Sequence, residues 1–184
     1  MDVGCLVQNV GTARAIYHAV AKRRPVVDRV VTVTGRGVQE PKNLMVRIGT
    51  PFSFVLEHCG GLREDAERVV MGGPMMGIAQ FTLEVPVVKG TSGILVLNAS
   101  EARDREAQVC IRCGRCVDAC PMGLMPTVLY HYVIHKRFDD AQEYGVLDCI
   151  ECGSCAYVCP AKLPLVHAMK WGKAEVSKKM RAAS

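Results

Sequence analysis

Cys110-Ile-Arg-Cys-Gly-Arg-Cys-Val-Asp-Ala-Cys-Pro121 recurs as Cys149-Ile-Glu-Cys-Gly-Ser-Cys-Ala-Tyr-Val-Cys-Pro160, a displacement of 39 residues (149 − 110). Leu124 and Leu163 keep the register beyond the two prolines. An internal repeat with matched cysteines means two equivalent sites related by approximate two-fold symmetry. Each copy reads C-x₂-C-x₂-C-x₃-C-P. Three closely spaced cysteines on a tight loop reach three irons of a cubane, while the fourth, expected at a helix start, points away toward the other cluster. The pattern predicts two [4Fe–4S] clusters with crossed ligand sets. Cys110, Cys113, Cys116 and Cys159 serve the first; Cys149, Cys152, Cys155 and Cys120 serve the second. Local ligation, with each run closing its own cubane, is the alternative.

Gly114 and Gly153 let each loop wrap its sulfurs closely and donate backbone N–H groups to them. Pro121 and Pro160 stop the segment that follows each fourth cysteine. Structural zinc and disulfides are the competing chemistries. Zinc sites use paired C-x₂-C units rather than a doubled run of four with proline. Disulfides belong to exported chains, and residues 1–20 lack the basic start and apolar run of a signal peptide. Ten cysteines in 184 residues are then read as reduced thiols of the cytosol.

Outward from the repeat, the spacer between Cys120 and Cys149 shows a helical pattern at 127–135, with Val128, Leu129, Tyr132 and Val133 for one face. A second helical segment covers 139–144, and a third, 165–179, follows Pro164. The charged run 101–108 reads as a linker or helix start with a solvated face. Upstream the pattern changes. Residues 26–34 and 44–48 read as strands joined through Gly35-Arg36-Gly37, and further strands are expected at 68–71, 85–88 and 94–97. Thr50-Pro51 predicts an N-cap with proline at the first helical position, opening a short helix 52–58 in which Phe54 and Val55 face the core. Strands around one helix suggest a small unit resembling a β-grasp, so the fold class is α+β: a β-grasp-like domain before a helix-rich two-cluster domain. Residues 9–24 read as one helix, with Ala13, Ile16, Tyr17 and Val20 on one face, closed by Pro25. Nothing before it would give this helix its own domain, which suggests a piece of a larger protein.

The remaining candidates read as structural. Cys5 and Cys59 lie outside the repeat and behave as small buried hydrophobes. The five histidines are assigned to packing or surface; His131 and His135, at i and i+4, lack the intervening Glu of a zincin pair. The glycine-rich Met71-Gly-Gly-Pro-Met-Met-Gly77 lacks G-x-G-x-x-G spacing and a P-loop lysine, and reads as a turn. The methionines, among them Met75, Met76, Met122 and Met125, are expected to fill the core and the cluster surroundings. No apolar run approaches the ~18 residues of a transmembrane helix. The formal charge of +5 falls near +1 once two clusters of about −2 each are counted, so charge gives no argument for nucleic acid.

Taken together, Gly4–Thr12, Val69–Gly77, Pro86–Ser92, the two cysteine runs and Leu163–Val166 resemble the C subunit of the Rnf-type ion-translocating electron transport complex, over nearly the whole chain. The resemblance implies residues 1–24 as the end of a flavin- and NADH-binding domain. It implies a soluble-ligand-binding β-grasp (SLBB) with following strands over 25–100 and a dicluster ferredoxin-type domain over 101–184. It further implies FMN and NADH binding only in a full-length protein, because the family's nucleotide loop lies upstream of the segments matched here. The implied partners are the other proteins of the Rnf complex, above all its ferredoxin-like B subunit, on the cytoplasmic side of the membrane and attached peripherally. A cobalamin reductase of similar domain order and a stand-alone iron–sulfur redox protein are the other readings.

Overall fold

The β-branched run forms strand β1, Asp28–Thr34, in the computed structural model, which describes residues 3–102 and 106–183. Residues 3–73 and 77–102 make one compact unit, and 74–76 with 106–183 make a second. In the first unit β1 pairs antiparallel with β2 (Lys42–Arg47), and β5 (Gly93–Asn98) runs parallel to β1 on its other side. Strand β3 (Ala66–Met71) is antiparallel to β5 and carries the short β4 (Ile78–Gln80) at the edge, giving the order β2-β1-β5-β3-β4. Alternation along β1 places Val31 and Val33 inward, both fully buried, and leaves Thr32 and Thr34 outside. Gly35 turns out of β1 at φ 113°, and a Cβ there would stand 2.0 Å from the Val96 carbonyl oxygen, so only glycine fits.

Helix α2 (Phe52–Glu57) covers the inner face of this sheet with Phe52, Val55 and Leu56, the i, i+3, i+4 stripe of a short helix. Phe54 was expected in the core; it falls off that stripe, is 54% exposed, and lies against the His58 ring instead. The expected Thr50 cap is also corrected. Pro51 occupies the cap position with no side-chain bond, and the first helical N–H groups are satisfied by the carbonyls of Val85 (3.0 Å) and Leu83 (2.9 Å). The expected strand 85–88 is therefore a clip rather than a ladder. It meets the 49–53 segment through an isolated Pro51–Pro86 bridge, since Pro86 has no N–H to extend a pairing. Val87 is nevertheless fully buried in the same core, as is Cys59.

Helix α1 (Val10–Lys22) begins where Asn9 Oδ1 accepts from the Gly11 N–H at 2.8 Å. It ends before Pro25, with Arg23 in the left-handed conformation. It buries none of its residues. Arg24 and Asp28 pair at 2.7 Å between its end and the start of β1. Cys5, expected to be buried, is exposed, because it lies in an irregular stretch that packs against no core. The glycine-rich segment 71–77 is the turn between β3 and β4, with Gly77 N–H bonded to the Gly73 carbonyl at 2.8 Å.

The second unit is helical. Helix α4 (Pro126–Ile134) starts on Pro126 at its first turn and packs Leu129 and Val133 against Ala168, Met169 and Val176 of α7 (Leu165–Ala183). Gly172 permits this approach, since a Cβ would stand 2.6 Å from Val133 Cγ2. Helix α5 (Phe138–Glu143) closes the group with buried Ala141, and Phe138 meets Trp171 edge-on at 5.6 Å. Of the charged run 101–108, residues 103–105 lie outside the described residues, and 106–108 adopt no regular structure. Among the described residues no helix is long and apolar enough to cross a membrane.

Candidate metal centres

The cysteine loops share one local construction. Gly114 (φ 76°) and Gly153 (φ 87°) take the left-handed conformation and start the short helices α3 (Arg115–Asp118) and α6 (Ser154–Val158). The third cysteine of each run thus lies on a helix, and the fourth comes after it: Cys120 beyond α3, Cys159 as the cap of α6. This corrects the expected helix start at the fourth cysteine. The glycine starts the helix between the second and third cysteines, one turn earlier than the spacing suggested.

Two cavities result. One, of about 340 Å³, is lined by Cys110, Cys113, Cys116 and Cys159. The other, of about 20 Å³, is lined by Cys120, Cys149, Cys152 and Cys155. In each, three cysteines of one run meet the fourth of the other. Leu163 and Leu165 wall the first cavity; Leu124, Leu129 and Met169 wall the second. A single tetrahedral ion needs its sulfurs about 2.3 Å from one point. Among the described residues no three His, Cys, Asp or Glu side chains converge in that way. Four cysteines line each cavity instead, the number of thiolates that a cubane takes. Donor type and number fit a [4Fe–4S] group.

Burial pushes the Cys155 thiol up to about 11 and raises Cys116 and Cys149 as well, because a thiolate is costly away from water. Cys152 goes the other way, lowered by Ser154, whose Oγ lies 3.4 Å from its sulfur. Backbone donors support the sulfurs: Leu124 N–H donates to Cys120 Sγ and Glu151 N–H to Cys149 Sγ, both at 3.4 Å.

Several neighbours of these sites carry no local spacing signal. Thr127 Oγ1 stands 3.7 Å from Cys110 Sγ, and His131 lines the first cavity. The rings of His131 and His135 stack nearly parallel, with centroids 6.2 Å apart. Lys173, 24 residues beyond Cys149, donates to its carbonyl at 2.8 Å and pairs with Glu151 at 2.9 Å. The methionines only partly meet expectation, with Met169 buried in the core and others on the surface. Met75, Met76, Met122 and Met125 are each 45–52% exposed, because they sit on loops rather than on packed faces, though Met122 lines the second cavity.

Family models match both units of the chain. An SLBB domain model matches residues 30–79, and a 4Fe-4S dicluster domain model matches residues 103–160. The chain is 49% identical over 175 residues to the C subunit of the proton-translocating ferredoxin:NAD(+) oxidoreductase complex of Clostridium ljungdahlii, covering 95% of this chain and 38% of that protein. It is 48% identical over 178 residues to the C subunit of the ion-translocating oxidoreductase complex of Rhodobacter capsulatus, covering 97% and 34%. Against the C subunit of the Na(+)-translocating ferredoxin:NAD(+) oxidoreductase complex of Acetobacterium woodii the identity is 43% over 175 residues, covering 95% and 40%. The chain therefore spans between a third and two-fifths of the length of these relatives. The resemblance expected from its motifs holds over 95% of its residues, and the α+β order of an SLBB domain followed by a dicluster domain is as expected.

Proposed function

We propose, from this kinship with the C subunit of ion-translocating oxidoreductase complexes, that the chain relays single electrons within a membrane-associated NADH:ferredoxin oxidoreductase. The observation that carries the reading is the sorting of eight cysteines into two four-sulfur cavities. That sorting supports crossed ligation, with Cys159 completing the site of Cys110, Cys113 and Cys116, and Cys120 completing the site of Cys149, Cys152 and Cys155. A [4Fe–4S] group held there supplies one-electron chemistry with no bond made or broken. The protein's part is to hold the groups in low-dielectric pockets, to donate N–H groups toward the sulfurs, and to limit water through Leu124, Leu129, Leu163 and Leu165.

In the full-length protein the reading places FMN and NADH in an upstream domain that residues 1–24 complete. Domain limits follow at 25–100 and 101–184. The partners are the other proteins of the complex, with the ferredoxin-like B subunit as the electron partner, and the attachment is peripheral, on the cytoplasmic side of the membrane. Anaerobic reconstitution tests the core of this. About eight irons and eight acid-labile sulfides should load per chain, and the reduced protein should give the electron paramagnetic resonance spectrum of two interacting cubanes. About one zinc per cysteine run with no sulfide would overturn it.

A further inference from the structure

Equivalent positions of the repeat carry different charge. At the 39-residue displacement Arg112 corresponds to Glu151 (151 − 112) and Arg115 to Ser154. Arg112 and Glu151 share one left-handed backbone conformation, φ 55° and 56°, so the same scaffold presents a cation in one loop and an anion in the other. The anion is neutralised where it stands, by Lys173 at 2.9 Å. Arg112 and Arg115 are exposed and form no ion pair among the described residues. Beside them Val109 is 87% and Ile111 70% exposed. Cys113 is exposed as well, whereas its counterpart Cys152 is half-buried.

We propose that this face of the first cysteine loop (Val109, Ile111, Arg112, Arg115) is the docking surface for an acidic electron-carrier protein. Such a partner presents Asp and Glu side chains around its own one-electron centre. Two unpaired guanidiniums offer bidentate contacts to those carboxylates and steer the approach. The exposed valine and isoleucine supply apolar contact at the centre, the composition of an interface core with a charged rim. Helix α7 offers a rival cationic patch beside the second loop, but two of its four cations, Lys170 and Lys173, are already engaged. Lys173 serves Glu151 and the Cys149 carbonyl, and Lys170 donates to the Met76 carbonyl at 3.2 Å. The lining of that patch contains no large apolar side chain.

The inference rests on the electron-relay reading, and its test keeps the two separable. The cluster-loaded chain is titrated by calorimetry with a plant-type [2Fe–2S] ferredoxin, an acidic protein, at low salt and at ~0.5 M salt. Arg112→Glu with Arg115→Ser gives the first loop the residues of the second, and Glu151 already occupies the equivalent backbone conformation. This variant should raise the low-salt Kd about tenfold or more, and the difference should collapse at high salt. Arg115→Ser alone leaves the left-handed position untouched and should raise Kd about threefold. It decides the matter if the double variant fails to hold iron. Lys178→Glu with Arg181→Glu on α7 should change Kd by no more than about twofold. Absence of ferredoxin binding, an unchanged Kd in the loop variants, or a loss confined to the α7 variant overturns the docking surface, and a full iron and sulfide content then leaves the relay reading intact. A chain that loads no cluster overturns the relay reading and the docking surface with it.

Discussion

At Gly114 and Gly153 the two loops make the same backbone demand under different surroundings. Both residues are left-handed, so a Cβ at either costs roughly 1–2 kcal/mol of local strain. A Cβ on Gly114 would meet nothing within 4 Å, whereas one on Gly153 would stand 2.9 Å from the Met75 carbonyl oxygen and 3.0 Å from its Cβ. Met75 groups with the second unit, so that loop is held from outside its own run. Gly153→Ala should therefore lower iron content at saturating iron and sulfide, with the melting temperature of the loaded protein falling further than in Gly114→Ala. Equal losses in the two variants would show that strain alone governs both. The glycines and all eight repeat cysteines were legible, because their roles lie in local spacing. Lys173 and Thr127 were not, and Met75 was expected near the clusters without its contact to Gly153. Each reaches its loop from 17 or more residues away, and a lysine on a helix or a methionine after a glycine pair carries no mark of what it will touch.

Periodicity was a good guide to the elements wherever the segment was long enough to show it. Val31 and Val33 of β1 and the Leu129–Val133 stripe of α4 fall on buried faces, as alternation and the helical repeat require. Helix α2 has only six residues, less than two turns, and two aromatic residues competed for its inner face. The structure resolves the competition in favour of Phe52, which is fully buried, over Phe54. Phe52→Ala should cost about 3–5 kcal/mol in chemical denaturation, from lost transfer energy plus the cavity left behind. Phe54→Ala removes a ring that is half in solvent and should cost no more than about 1 kcal/mol. A reversed ranking would mean that α2 presents its other face to the sheet. The clip at 83–88 and the late position of each fourth cysteine escaped the sequence for a shared reason. Both depend on which backbone groups are left unpaired by a neighbouring turn, and composition does not report that.

Across the second unit the repeat acts as an interlocked pair rather than two modules in series. Each four-sulfur cavity draws on both runs, so neither run can complete a site while the other is unfolded. The separation of 29 residues between Cys120 and Cys149 (149 − 120) is bridged by α4 and α5, whose packing on α7 sets where the loops meet. We propose crossed ligation from where the fourth cysteine sits: Cys120 lines the cavity of Cys149, Cys152 and Cys155, and Cys159 lines that of Cys110, Cys113 and Cys116. The prediction is one of phenocopy. Cys120→Ala should leave about four irons per chain, with the reduced spectrum of Cys152→Ala, because both variants strip the second site and spare the first. Cys159→Ala should in turn match Cys113→Ala. Local ligation predicts the opposite pairing, Cys120→Ala with Cys113→Ala, and the four spectra compared side by side separate the two without assigning either signal beforehand. Should Cys120→Ala and Cys113→Ala coincide, each run closes its own cubane, and the shared cavities are a feature of packing rather than of ligation.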